Sequence, residues 1–181
     1  MTYYERNLPH WQPPGKTIFI TWRLAGTLPR TFLTKLKSSE ARANRKFAIV
    51  DRALDSAATG PSWLAHPDVA AALQHCLLKG ATELRYFDLV AYVIMPNHVH
   101  VLLDPKLPLR RIMRGIKGHS AHLANHILDL AGQPFWQDES FDHWVRKPAE
   151  AARITQYIEN NPVAAGLAAK ASEWPWSSAV R

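Results

Sequence analysis

An α+β fold is predicted: a ferredoxin-like (RRM-like) antiparallel sheet with helices on one face and an added C-terminal helix that carries a tyrosine. Three observations predict it. Runs rich in β-branched and aromatic residues occur at "KTIFITWRLAG", "TELRYFDLVAYVI", "HVHVLLDP" and "ESFDHWVR". Stretches with apolar residues at helical spacing separate the first run from the second and the third from the fourth. The second and third runs are parted only by "MPN", a turn signal. Strand, helices, strand, strand, helix, strand is the split βαββαβ order.

The elements follow in order. In the first strand Ile18, Ile20 and Trp22 alternate with Phe19, Thr21 and Arg23, and "GTLP" ends it. One helix is expected from about Thr31 to Ser56, with Phe32, Leu36, Ala43 and Phe47 at roughly helical spacing. "ATGPSW" breaks the chain, and "HPDVAAALQHCLLKG" starts a second helix with Pro67 in its first turn and Gly80 as its stop. Two strands, about 83–94 and 98–104, make a hairpin. The next helix runs to Gly132 on a stripe of Ile112, Ile116, Leu123, Ile127 and Leu130. After the strand at "ESFDHWVR", a helix begins with Pro148 and is expected to stop near Asn161, because Pro162 follows. The whole chain, 1–181, reads as a single domain with irregular ends at 1–15 and 168–181.

Composition narrows the function classes. With 181 residues, 47% of them hydrophobic, the chain can bury a real core. A single cysteine, Cys76, excludes an internal disulfide framework and suits a reducing compartment. "MTYYERNLPHW" lacks a basic-then-apolar leader, and no apolar run approaches the roughly 20 residues of a membrane span. A cytoplasmic protein without a membrane partner is expected. The net charge of +7 points to a polyanionic partner, although charge alone fits any basic protein.

Within "YVIMPNHVHVLL", His98 and His100 stand at i and i+2, so a strand puts them on one face while Val99 and Val101 point the other way. Two imidazoles side by side can share a divalent metal if a third ligand arrives from elsewhere. A bare H-x-H is also compatible with structural hydrogen bonding, and rings on opposite faces or sealed in the core would contradict a metal role. In "QYIENNPVAAGL", Tyr157 and Asn161 share a helix face at i and i+4. Taken alone, Tyr157 could equally be a half-buried surface aromatic. Arg110, Arg114 and Lys117, with Arg111 beside them, form a basic stripe that could hold phosphates or simply face water. His143 shares a strand face with Phe141 and Val145, while Asp142, Trp144 and Arg146 face the other way. Aromatics beside a basic residue suit stacking on unpaired bases; a core face plus a polar face explains the alternation equally well.

These two motifs together resemble the HUH single-tyrosine transposases, and within them the REP-associated tyrosine transposase branch. "IFITWRLAGTLP", "GIKGHS", "FWQDESFDHWVR" and "WPWSSA" extend the resemblance, in order, over about residues 16–179. The resemblance implies a ferredoxin-like sheet, His98 and His100 as ligands of Mg²⁺ or Mn²⁺, and Tyr157 as the nucleophile. It places a third ligand at Asn161, where many insertion-sequence relatives carry glutamine; Asn160 or a water are the alternatives. The implied activity is cleavage and strand transfer of single-stranded DNA through a covalent 5′-phosphotyrosine, on REP-like hairpins. Arg110, Arg114, Lys117, His143, Trp144 and Arg146 are the implied DNA contacts. A monomer is expected if the Tyr157 helix folds onto its own sheet, and a dimer if it swaps. Two other readings compete. One is a non-catalytic single-stranded nucleic-acid-binding module with an RRM-like sheet, although the RNP1 aromatic pattern is absent. The other is a metal-dependent hydrolase with no covalent step, which would be indifferent to Tyr157.

Overall fold

A computed structural model describes residues 2–5, 9–12, 15–39, 43–56 and 59–180. Two short strands, β1 (Thr2–Glu5) and β2 (Pro9–Gln12), pair antiparallel as a separate hairpin. The expectation of an irregular N-terminus is therefore corrected: turn-forming residues hid two segments too short to show a periodicity.

The main sheet has four antiparallel strands, β3 (Ile18–Arg23), β4 (Phe87–Ile94), β5 (His98–Pro105) and β6 (Phe141–Trp144), in the spatial order β4-β5-β3-β6. That is the predicted ferredoxin-like arrangement. Side-chain alternation gives each face its own core. Ile18, Ile20 and Trp22 of β3 join Val99, Val101 and Leu103 of β5 on one face. Phe19, Leu102, Ala91 and Val93 belong to the other. A bulge between Leu89 and Ala91 resets β4. Leu89 leans on the first core, yet so do Tyr92 and Ile94, while Ala91 and Val93 reach the second. One extra residue has inverted the alternation.

Among the described residues five helices accompany the sheet: α1 (Arg30–Ser38), α2 (Ala43–Asp55), α3 (Pro67–Thr82), α4 (Leu109–Ile127) and α5 (Pro148–Ala164). Helices α3 and α4 cover the first face through Val69, Leu73 and Leu77 and through Ile112, Met113 and Ile116. Helix α5 covers the second face with Ile158, and Phe47 of α2 packs beside it. The first crossover is thus divided between the two faces, whereas the sequence suggested one long helical crossover on the face of α4. Ser38 and Ser39 end α1 by donating their hydroxyls to Lys35 and Leu36 carbonyls at 3.1 and 2.9 Å, local bonds that compete with helix continuation.

Two expected stops are passed. Gly80 lies inside α3, buried, where a Cβ would stand 2.9 Å from the Phe87 ring. Its role is close packing of α3 on β4. Pro162 lies inside α5, whose last turn continues to Ala164. A proline there removes one backbone bond only, and Gly166 at φ +71° turns the chain while Leu167 N–H donates to the Pro162 carbonyl at 2.8 Å. In contrast, α4 ends short of Gly132, at Ile127, because Asp129 takes a left-handed φ of +52°. The tail is not wholly irregular. Residues 171–173 form a 3₁₀ turn, Ser177 bridges Val93, and Trp174 Nε1 donates to the Ile94 carbonyl at 3.0 Å. Among the described residues no helix is long and apolar enough to cross a membrane.

Candidate active site

The second face of the sheet carries the chemistry. His98 and His100 project from β5, and their Nε2 atoms lie 3.0 Å apart. Both rings are fully buried. Full burial is the arrangement expected to contradict a metal role, and Phe19, Phe47 and Tyr157 do pack on the His100 ring; what that expectation leaves out is that two carboxylate oxygens are buried against the same rings. On α2, Phe47, Asp51, Leu54 and Asp55 follow one another on a single stripe at i, i+4, i+7 and i+8. The apolar members of that stripe anchor it, Leu54 at 1% exposure and Phe47 against Phe19. The two acids are thereby delivered to the histidines. Asp51 Oδ1 stands 3.3 Å from His100 Nε2, and Asp55 Oδ1 3.6 Å from His98 Nε2.

Each ring is held by a hydrogen bond on its far side, and for His98 that bond sets the tautomer. Asn97 donates its Nδ2 to the Leu54 carbonyl at 2.9 Å, which fixes the amide so that Oδ1 faces His98 Nδ1 at 2.6 Å. That oxygen can only accept, so His98 carries its proton on Nδ1 and presents a bare Nε2. His100 Nδ1 meets Thr21 Oγ1 at 2.7 Å. A hydroxyl donates or accepts, so Thr21 serves either tautomer of His100. With its proton on Nε2, His100 bonds to His98; with its proton on Nδ1, it presents a second bare nitrogen.

Burial keeps these rings neutral, with His98 lowered to about 3 and His100 well below the usual histidine value by desolvation and then by His98. The same desolvation raises Asp51 to about 6. Asp55 is pushed up to about 7 by burial first and by Asp51 second. The Oδ1 atoms of Asp51 and Asp55 are buried without a hydrogen-bond partner. Bare imidazole nitrogens beside orphaned carboxylate oxygens form a donor set that fits a divalent cation. Asp51, His98 and His100 offer ligand atoms within 4.8 Å of one another, the one such cluster among the described residues.

Tyr157 stands over this cluster from α5. Its hydroxyl donates to Asp51 Oδ2, and its ring lies 5.4 Å from that of His100. Burial first, and then Asp51, raises its ionisation far above the usual phenol value. Asp51 thus faces the histidines with one oxygen and Tyr157 with the other. Asn161, one turn along α5, hydrogen-bonds the Tyr157 hydroxyl, while its own Oδ1 is buried without a partner.

The expected DNA contacts fall in different places. Arg110, Arg111 and Arg114 are exposed on α4, across the sheet from Tyr157. Lys117 leaves that stripe: Nζ donates to the Gln137 and Asp138 carbonyls at 2.6 and 3.0 Å, and burial lowers it to about 8. His143 shares the face of Tyr157 and bonds through Nε2 to Glu150 at 2.9 Å. Arg146 lies 5.1 Å over the Trp144 ring. Asp51, Asp55, Asn97 and Thr21 were not singled out from the sequence. The signal available for the first two was a pair of acids interrupting an otherwise apolar stripe.

Comparison with known proteins gives a consistent result. Residues 64–161, more than half of the chain, match the family described as "Transposase IS200 like". The chain is 27% identical over 111 residues to a REP-associated tyrosine transposase of Escherichia coli K12, covering 59% of this chain and 62% of that protein. It is 25% identical over 111 residues to a putative REP-associated tyrosine transposase of Haemophilus influenzae Rd, covering 55% and 63%. The matches therefore span less than two thirds of these relatives. A solved REP-associated tyrosine transposase bound to a REP hairpin superposes with a TM-score of 0.61 at 22% identity, over 98% of this chain and 82% of that one. That likeness bears on the fold. The family match runs through His98, His100, Tyr157 and Asn161, the residues that meet on the second face of the sheet, and this chain belongs to the IS200-like transposase family.

Proposed function

We propose that this protein cuts and rejoins single-stranded DNA at the foot of REP-like hairpins, through a covalent bond between Tyr157 and a 5′ phosphate. The observation that carries the reading is the convergence of the Tyr157 hydroxyl and the His98–His100 pair on one carboxylate, Asp51. The named relatives are REP-associated tyrosine transposases, and the superposed structure holds a REP hairpin, which supports the choice of substrate.

His98, His100 and Asp51 would hold Mg²⁺ or Mn²⁺, with the unpartnered Asn161 Oδ1 as a further candidate donor. Bound there, the cation would polarise the scissile phosphate and offset its developing charge. The protein's own residues do the rest. Asn161 orients the Tyr157 hydroxyl, and Asp51 Oδ2 accepts its proton. The Tyr157 oxygen forms a bond to phosphorus as the bond from phosphorus to the 3′ oxygen breaks, and that oxygen takes a proton from water. The phosphodiester energy is conserved in the tyrosyl bond, so a 3′ hydroxyl can reverse or redirect the reaction. Arg110 and Arg114 meet phosphates, and His143, Trp144 and Arg146 line the path of the strand at β6. The helix bearing Tyr157 packs on its own sheet, so a monomer suffices.

Labelled hairpin DNA, Mn²⁺ and a denaturing gel test the reading. A covalent adduct is expected. Cleavage without an adduct would favour a hydrolase, and a band shift without cleavage a binding module.

A further inference from the structure

Beside Tyr157 the structure opens a cleft of about 310 Å³ between α2, α5 and β6. One wall is aromatic. Phe47 and Phe141 stack at 4.3 Å between ring centres, and Phe19 closes the floor edge-on to Phe47 at 5.6 Å and to Tyr157 at 6.0 Å. Phe47 and Phe141 are only half-buried, so this wall presents ring surface to whatever enters. The opposite wall is α5, which sets Glu150, Arg153 and Tyr157 along one side over two turns. Glu150 is already engaged, accepting from His143 Nε2 at 2.9 Å and from the Arg146 N–H at 2.8 Å. Arg153 is exposed and, among the described residues, makes no hydrogen bond or ion pair. It stands one helical turn from the nucleophile.

We propose that this cleft seats the unpaired nucleotide next to the scissile phosphate, with its base against the Phe47–Phe141 wall and its own phosphate on Arg153. The inference rests on Tyr157 as nucleophile and goes beyond it by naming what lies alongside the attack. An unpaired base offers a flat apolar face to the aromatic wall, and each nucleotide brings one negative charge for a free guanidinium. An aliphatic or acidic peptide ligand would satisfy one of these walls and leave the other unmatched. The cleft runs directly onto Tyr157, so seating the base there would hold the adjoining phosphate in register for in-line attack.

The test uses the full-length Tyr157→Phe protein, hairpin oligonucleotides with unpaired extensions on both sides, and equilibrium binding. A single abasic site is walked through the extensions. One position is expected at which loss of the base weakens binding roughly fivefold or more. At that position Phe141→Leu and Phe47→Leu, which keep the bulk of the side chain and remove the ring, should erase the abasic penalty. Arg153→Ala lies on the surface, so folding is not at issue. It should weaken binding with the penalty intact and should lower the salt dependence. A flat abasic scan overturns the proposal, and so does a penalty that persists in both leucine variants. Adduct formation by the unsubstituted protein is followed in parallel. Adduct with a flat scan removes the base site and leaves the nucleophile, whereas failure to bind any hairpin overturns both readings.

Discussion

At the residue scale, Asp51 joins the two halves of the site. Its Oδ1 faces His100 and its Oδ2 accepts from Tyr157, so its removal should damage both metal binding and attack. Asp51→Ala is expected to weaken Mn²⁺ affinity by about tenfold or more, measured by calorimetry or by the electron-spin signal of free Mn²⁺. Unchanged affinity would remove Asp51 from the metal and leave the third ligand to Asp55 or Asn161. The pH dependence follows from the same residue. A metal competes with the proton on Asp51, whose raised value of about 6 leaves it mostly protonated at pH 5 and ionised at pH 8. Affinity should therefore fall by about tenfold or more from pH 8 to pH 5, further if Asp55 is also a ligand. His98, lowered to about 3, stays neutral over that range and contributes nothing to the slope. A flat profile would remove Asp51 from the metal.

At the scale of elements, the joints between helices and strands carry the informative glycines and acids. Gly80→Ala improves helix propensity in α3 yet would place a methyl group 2.9 Å from the Phe87 ring. The expected net effect is destabilisation of about 1–3 kcal/mol, read from urea unfolding; a stabilised variant would show that the ring moves aside freely. Glu150 closes the start of α5 by accepting the Arg146 N–H, which together with His143 holds its carboxyl below the usual range. Glu150→Ala should cost about 1 kcal/mol. These joints explain what the sequence could and could not reveal. Strands β3 and β5, and the shared face of His98 and His100, were legible because alternation is a local property. Gly80 was misread because a helix stop and a close approach demand the same residue, and only the neighbour decides between them. Asp51 and Asp55 escaped notice because their meaning depends on α2 crossing to the far face, which no spacing within α2 encodes. Pro162 was read as a stop, whereas a proline in a last turn forfeits a single bond.

For the whole molecule, the proposed contacts lie on both faces of the sheet. Arg110 and Arg114 stand on the α4 side and Tyr157 on the α5 side, so a hairpin that met all three would have to pass around an edge. The β6 edge is where His143, Trp144 and Arg146 stand. Arg110→Ala with Arg114→Ala is expected to flatten the salt dependence of hairpin binding by roughly 1.5 in log–log slope. Lys117→Ala should leave that slope unchanged, because its amine is tied to the Gln137 and Asp138 carbonyls. Equal slopes for all three proteins would mean that α4 faces solvent in the complex. The sequence grouped Lys117 with the arginines because helical spacing shows which residues share a face and not what covers that face.

The central claim is that Tyr157 Oη becomes joined to DNA, and peptide mass mapping of the protein–DNA adduct tests it most directly. The unsubstituted protein should yield the α5 peptide carrying a nucleotide on Tyr157. Tyr157→Phe keeps the ring packed against Phe19 and His100 and removes only the attacking oxygen, so it should bind hairpin DNA within about twofold of the original affinity and give no adduct. An adduct in Tyr157→Phe, or a nucleotide mapped to any other residue, would contradict the account.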